Sequence, residues 1–181
     1  MNNVHLSDYL DPPEQALFRL KQIRQFTHPQ KIREFFTSRL LIEKHTKVPW
    51  DNIRFDKSFQ FIEGNDDLRV SLSHCKNKCA LWAEDKNLHQ SIGLDIEENE
   101  RTPSIETMNL IRNQLDENLP TIEIWCAKEA ALKCLTGAGF NDIRMSHISI
   151  AGGKFGYHSS GGEYKVNYVG ENIIVQAWMN I

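Results

Sequence analysis

Ile92-Gly93-Leu94-Asp95-Ile96-Glu97 is the stretch on which the fold turns. Its apolar and polar residues alternate with period two, which predicts a strand. Leu94 and Ile96 then face a core, and Asp95 and Glu97 share the opposite side. Gly93 has no Cβ and permits another segment or a ligand to come close. Two carboxylates so placed repel one another unless a proton or a cation lies between them. They also make half of the hard-oxygen site that Mg²⁺ takes. A solvent-facing strand edge carries the same pattern without any ligand.

Upstream of this strand the pattern is β-like, and further upstream it is helical. Phe59–Ile62, Arg69–Ser73 and Cys79–Ala83 read as short strands, and Asp85-Lys86-Asn87 supplies turn chemistry before Ser91–Glu97. Asp11-Pro12-Pro13-Glu14 opens a helix carrying Leu17, Leu20 and Ile23. Thr27-His28-Pro29 opens a second, with Ile32, Phe35, Phe36 and Leu40 as its apolar stripe and Val48-Pro49 as its end. Downstream the order repeats. Pro103-Ser104 starts a helix with Ile105, Met108, Ile111 and Leu115 on one face. Pro120-Thr121 starts another that ends near Leu135, before Gly137 and Gly139. Met145–Ile150, Lys154–Tyr157, Glu163–Val169 and Ile173–Trp178 follow as strands, with Gly152-Gly153 and Gly161-Gly162 as turns. Helices, strands, helices, strands predict an α+β fold of two halves, residues 1–97 and 98–181, packed as one unit.

Composition removes several function classes. Hydrophobic residues at 40% and charged residues at 25% exclude bulk disorder. A net charge of -3 argues against a generic nucleic-acid binder. No apolar run approaches the roughly 18 residues of a membrane span. Met1–Pro13 carries Asp8 and Asp11 and has no apolar core, so it does not read as a secretory signal. Cys75, Cys79, Cys126 and Cys134 are therefore expected as reduced thiols in the cytoplasm. Charge is nevertheless uneven. Residues 19–47 hold eight basic and two acidic side chains. Such a segment suits a phosphate-rich small molecule or an acidic partner, or is simply a solvated helix face.

Two more segments carry chemistry. In Trp125-Cys126-Ala127-Lys128-Glu129-Ala130-Ala131-Leu132-Lys133, helical spacing aligns Ile122, Trp125, Cys126, Glu129, Leu132 and Lys133. Glu129 thus falls within an apolar stripe, where a carboxylate is costly unless paired or bound to a metal. An i,i+4 pair with Lys133 accounts for the charge but not for the apolar neighbours. Ser71-Leu72-Ser73-His74 ends a strand, where a histidine can point into a cleft and meet a phosphate, or serve as an ordinary surface or core side chain. Three carboxylates, a lysine, a histidine and a basic patch suit a Mg²⁺–diphosphate site. The sequence lacks the Gly-rich Lys-Ser/Thr loop of P-loop NTPases and the Gly-x-Ser-x-Gly elbow of serine hydrolases. A zinc site from His74, Cys75 and Cys79 with Cys126 or Cys134 has unfavourable spacing.

These three segments, in this order, resemble the 4'-phosphopantetheinyl transferases, and the chain length resembles the two-half, single-chain Sfp-type branch. The resemblance covers roughly Arg19 to Leu135. It implies a 4'-phosphopantetheinyl transferase-like fold with two pseudo-symmetric α+β halves and a monomer. It also implies transfer of the phosphopantetheine arm of coenzyme A to a serine of an acidic apo acyl or peptidyl carrier protein, with release of 3',5'-adenosine diphosphate. By the same resemblance, Asp95, Glu97 and Glu129 would hold Mg²⁺, with Mn²⁺ as the alternative. Glu129 would serve as base and Lys133 would meet the reacting phosphate. Lys21, Arg24, Arg33, Ser73, His74, Asp95, Lys128 and Lys133 would bind coenzyme A. One family feature is missing: the usual Gly-Lys-Pro is replaced by Phe59-Gln60-Phe61-Ile62-Glu63-Gly64, without a lysine. That loss keeps open a non-catalytic paralogue that binds coenzyme A or a carrier without transfer.

Overall fold

The computed structural model describes residues 4–23, 28–56, 60–63, 65 and 67–181, and of residues 21–23 the backbone alone. Two sheets and four helices give an α+β architecture. The first sheet is antiparallel with order β1-β3-β2, built from β1 (Val4–Asp8), β2 (Leu68–Cys75) and β3 (Lys78–Asp85). Strand β1 lies in a segment for which no strand was expected. Helices α1 (Glu14–Ile23) and α2 (Pro29–Thr46) precede β2. Helix α1 follows Pro13 and α2 begins at Pro29, where the fixed φ and missing N–H of proline cost nothing in a first helical turn.

Helix α2 has two apolar faces rather than the single stripe expected. Ile32, Phe35, Phe36 and Leu40 meet Ala16 and Leu20 of α1. Leu41 and Ile42 meet Val70, Cys79 and Leu81 of the sheet. The helix lies between α1 and the sheet, so Thr37 and Ser38 are buried with its hydrophobic residues.

The second sheet has order β4-β8-β7-β6-β5 and is antiparallel throughout. Its strands are β4 (Ser91–Glu98), β5 (Ser149–Ala151), β6 (Lys154–Tyr157), β7 (Ser160–Val169) and β8 (Asn172–Met179). Helices α3 (Ile105–Ile111) and α4 (Thr121–Gly137) fall between β4 and β5. Strand β4, expected to close the first half, is hydrogen-bonded to β8 of this sheet.

Several local expectations need correction. Of Phe59–Ile62, Phe59 lies outside the described residues, and Ile62 makes only isolated bridges to Phe55 and Asn65. Met145–His147 is a 3₁₀ turn, which leaves Ser149–Ala151 as the paired part of that segment. Gly161 and Gly162 are strand residues of β7, and the turn falls at His158, whose φ is 52°. A Cβ on Gly162 would lie 2.1 Å from the carbonyl oxygen of Trp178, so this glycine serves strand approach, not reversal. Helix α3 spans seven residues and buries Met108 and Ile111, while Ile105 and Leu115 are 77% and 72% exposed. Its apolar face is therefore half of the one expected.

The two sheets meet where β2 runs beside β4. Side chains make this junction: the Ser71 hydroxyl accepts from Leu94 N (2.9 Å), Ser73 donates to Asp95 (2.8 Å), and the Cys75 thiol faces Glu97 (3.4 Å). Ile92, Leu94 and Ile96 are fully buried in a cluster with Trp82 and Ile174. Each such side chain contributes about 1.5–3 kcal/mol. On the opposite face of β4, Gly93 lets α4 approach so closely that a Cβ there would lie 1.9 Å from Ala130 O and 2.7 Å from Cys134 N. Among the described residues no helix is long and apolar enough to cross a membrane.

Candidate active site

The strand period positions the first functional side chains. Ser71, Ser73 and Cys75 of β2 all turn toward β4. Leu72 and His74 turn the other way, toward α2. On β4, Asp95 and Glu97 share the face that Gly93 opens to α4, and both are buried. Helix α4 then brings Lys133 across. Its Nζ donates to Leu94 O (2.8 Å), Ser73 Oγ (3.1 Å) and Asp95 Oδ1 (3.0 Å). Among the described residues Asp95 Oδ2 is buried without a nitrogen or oxygen hydrogen-bond partner. The Cys126 thiol borders this carboxylate, and burial followed by the charges of Asp95 and Glu97 raises its pKa.

Glu97 is held differently. Arg101, four residues on, forms an ion pair with its Oε1. The Arg101 guanidinium also lies 5.4 Å from the ring centre of Trp125 on α4. Glu129, one helical turn before Lys133, has neither a hydrogen bond nor an ion pair among the described residues. Burial raises its pKa, Asp95 and Glu97 push it up further, and Lys133 and Arg101 oppose the shift. The Asp95 carboxyl is likewise raised, chiefly by burial, against the pull of Lys133 and Ser73.

The charges of Asp95 and Glu97 thus reach Glu129, and that of Glu97 reaches Asp95, disfavouring ionisation at both. The three are not drawn into a ligating group. Among the described residues no set of three or more His, Cys, Asp or Glu side chains is arranged to hold a metal ion. Lys133 sits on one carboxylate and Arg101 on another, so internal cations supply the positive charge. Carboxylate oxygens are the donor type that a hard divalent ion takes, and the charges of Asp95 and Glu97 are felt at Glu129, although the three are not gathered about one point.

On the far side of β2, His74 Nε2 is 2.6 Å from Ser38 Oγ, and its Nδ1 is 3.8 Å from Glu34 Oε1. Burial lowers the His74 pKa, Glu34 works against that shift, and Lys133 and Lys31 add to it. The ring opens into a cavity of about 170 Å³ with Lys31 and Phe35 on its wall. A second cavity of about 370 Å³ runs on past Leu132, Lys133 and Thr136, and Phe55 and Leu72 line both. The two cavities adjoin at Phe55 and Leu72 and together form the cleft beside β2.

The remaining predicted residues are distributed as follows. Arg33 is 3.8 Å from Asp11, outside the lining of this cleft. Arg24 and the Lys21 side chain lie outside the described residues. Much of the basic segment is already engaged: Arg19 pairs with Asp51, Lys31 pairs with Glu34, and Arg39 donates to the carbonyls of Trp50 and Ile53. Lys128 corrects the coenzyme A expectation. It is 0% exposed, pairs with Asp116 at 2.8 Å and donates to the carbonyls of Met145 and Ile148, on the side of α4 away from the cleft. The zinc alternative fails on the thiols. Cys75 faces Glu97 while Cys79 faces Ser38, so the two do not turn toward a common point. Sequence reasoning overlooked Ser38 and Arg101. The i+4 spacing of Arg101 from Glu97 was a visible signal; Ser38 has none, being one polar residue within a helix.

No protein-family model matches the chain, and no curated protein is similar to it.

Proposed function

We propose that the protein is a phosphopantetheinyl transferase, with coenzyme A in the cleft beside β2 and a carrier-protein serine as acceptor. One observation carries this proposal. Asp95 and Lys133 are in contact at the β2–β4 junction, Glu97 lies two residues on along the same face, and Glu129 is close enough to feel both carboxylates, with one carboxylate oxygen lacking a nitrogen or oxygen partner among the described residues. These are the residues at which the chain resembles that family.

The carboxylates Asp95, Glu97 and Glu129 would hold Mg²⁺, which when bound offsets the negative charge that develops on a diphosphate. The protein's own groups account for the rest of the chemistry. Glu129 is half-buried with no ion pair among the described residues, and its raised pKa suits it to take the proton of the carrier hydroxyl. That oxygen forms a bond to the β-phosphorus of coenzyme A. The phosphoanhydride bond breaks, and 3',5'-adenosine diphosphate leaves with the electron pair. Lys133 is positioned to leave Asp95 for the phosphate oxygens, since both contacts suit one ammonium group. Lys31 and His74, both beside Glu34 at the smaller cavity, would take the remaining phosphate once Lys31 turns from that acid.

The test uses purified protein with Mg²⁺, coenzyme A and a panel of apo carrier proteins. The intact mass of a carrier rises by one phosphopantetheine arm, and Glu129→Ala abolishes the rise while keeping the wild-type melting profile. Absence of modification on every carrier refutes the proposal. A second reading, binding without transfer, is favoured by Gln60. This residue stands in the segment where the family carries its lysine, and it is buried with its amide on the backbone of Ile92. Calorimetric binding of coenzyme A with no turnover on any carrier would select that reading.

A further inference from the structure

Arg101 is not among the residues at which the chain resembles the transferases, yet it is tied to the centre of the site. It sits just past the end of β4, where its N–H closes a turn on Glu98 O. The guanidinium reaches back four residues to Glu97 and rests near the Trp125 ring, a cation–π contact to the helix that carries Glu129. The arginine side chain is 46% exposed and the Glu97 side chain only 11%. The carboxylate is thus the enclosed partner and the cation the one open to solvent.

We propose that Arg101 is a tethered counter-ion, which holds Glu97 in the empty site and must be displaced by the divalent cation, with Trp125 as its resting place. This inference rests on the metal site of the proposed function. The same face explains why the three carboxylates are not gathered: each of the two strand-borne acids has a side-chain cation, and Arg101 occupies the outer one. Room for the displaced group exists. Arg101 lines an open cavity of about 510 Å³ whose wall carries Glu98, Glu100 and Glu171. Lys76 on the same wall pairs with Glu98 at 2.6 Å, so a guanidinium released from Glu97 faces Glu100 and Glu171 as the acids not engaged by that lysine. Lys133 holds three interior acceptors, whereas Arg101 is the more exposed of the two cations, 46% against 32%.

The experiment is a Mn²⁺ titration followed by electron paramagnetic resonance of the free ion, at neutral pH and low salt. It compares wild type, Arg101→Gln, Arg101→Lys and Glu129→Gln, each checked by thermal unfolding. A half-exposed ion pair restrains its partners by a factor of about two to five, so Arg101→Gln binds Mn²⁺ about fivefold more tightly than wild type. Arg101→Lys, which keeps the charge, stays within about twofold of wild type. Equal or weaker Mn²⁺ binding by a folded Arg101→Gln overturns the inference, and if that variant does not fold, Arg101→Lys binding as tightly as expected for Arg101→Gln overturns it too. Glu129→Gln separates the two levels. If it weakens Mn²⁺ binding tenfold while Arg101→Gln has no effect, only the role of Arg101 fails. If it leaves binding unchanged, the metal site and the counter-ion fail together.

Discussion

Replacing Lys128 by methionine leaves a methylene stem of similar length and removes the ammonium group. In the folded protein that group meets Asp116 at 2.8 Å and two backbone carbonyls, and both side chains of the pair are closed to solvent at 0% and 3% exposure. Breaking such a pair on one side leaves a buried charge without its partner, at about 3–5 kcal/mol. Asp116 keeps two backbone donors, Asn113 N (2.7 Å) and Ile150 N (3.0 Å), which draws the cost toward about 3 kcal/mol. For a chain of this size each kcal/mol moves the melting midpoint by about 2–4 °C, so the expected fall is about 6–12 °C. Urea unfolding followed by tryptophan fluorescence measures the loss, with coenzyme A titration in parallel. Lys128→Met combined with Asp116→Asn removes both charges and should recover more than half of the deficit. A loss below about 1 kcal/mol, or intact stability with weakened coenzyme A binding, would refute the internal role and return Lys128 to the cleft.

Two further outcomes follow from the site's geometry. Gly93→Ala drives a Cβ into the backbone of α4, 1.9 Å from Ala130 O, and should destabilise by about 2–3 kcal/mol in chemical denaturation; a wild-type midpoint would mean that α4 and β4 are not in such close contact. Glu129→Gln concerns a carboxyl whose folded pKa is raised, so its stabilising contribution is complete below the ordinary 4.5 and is lost as pH rises through the folded value. Glutamine escapes that loss: without divalent ions the variant should be more stable than wild type at pH 7, by about 0.5 kcal/mol after solvent screening, and equal to it at pH 4. A variant less stable at pH 7, or a gain that persists at pH 4, contradicts the assignment.

The α+β class and most elements were legible because their signals are local. Prolines at 13 and 29 start two helices, Ser104 caps a third through Thr107 N, and the alternation at 92–97 marks a strand whose Leu94 and Ile96 are fully buried. Gly93 was legible as a point of close approach, although the sequence did not say that α4 is what approaches. Glu129 stood out for its apolar neighbours, and burial does dominate its pKa.

What the tertiary structure decided is which face meets what. Ser73 and His74 are adjacent in the chain, yet opposite sides of β2 send one to Asp95 and the other to Ser38. Lys128 and Glu129 are adjacent too, but helical rotation places the lysine on Asp116, a partner from a loop that no periodicity connects to it. Arg101 was near Glu97 in sequence, but only the turn after β4 and the position of Trp125 bring its charge onto the carboxylate. Local composition determines where a strand or helix forms, because capping, turn and burial energies act over a few residues. Partnerships between charges depend on packing of distant segments, and that distance is absent from the order of the residues.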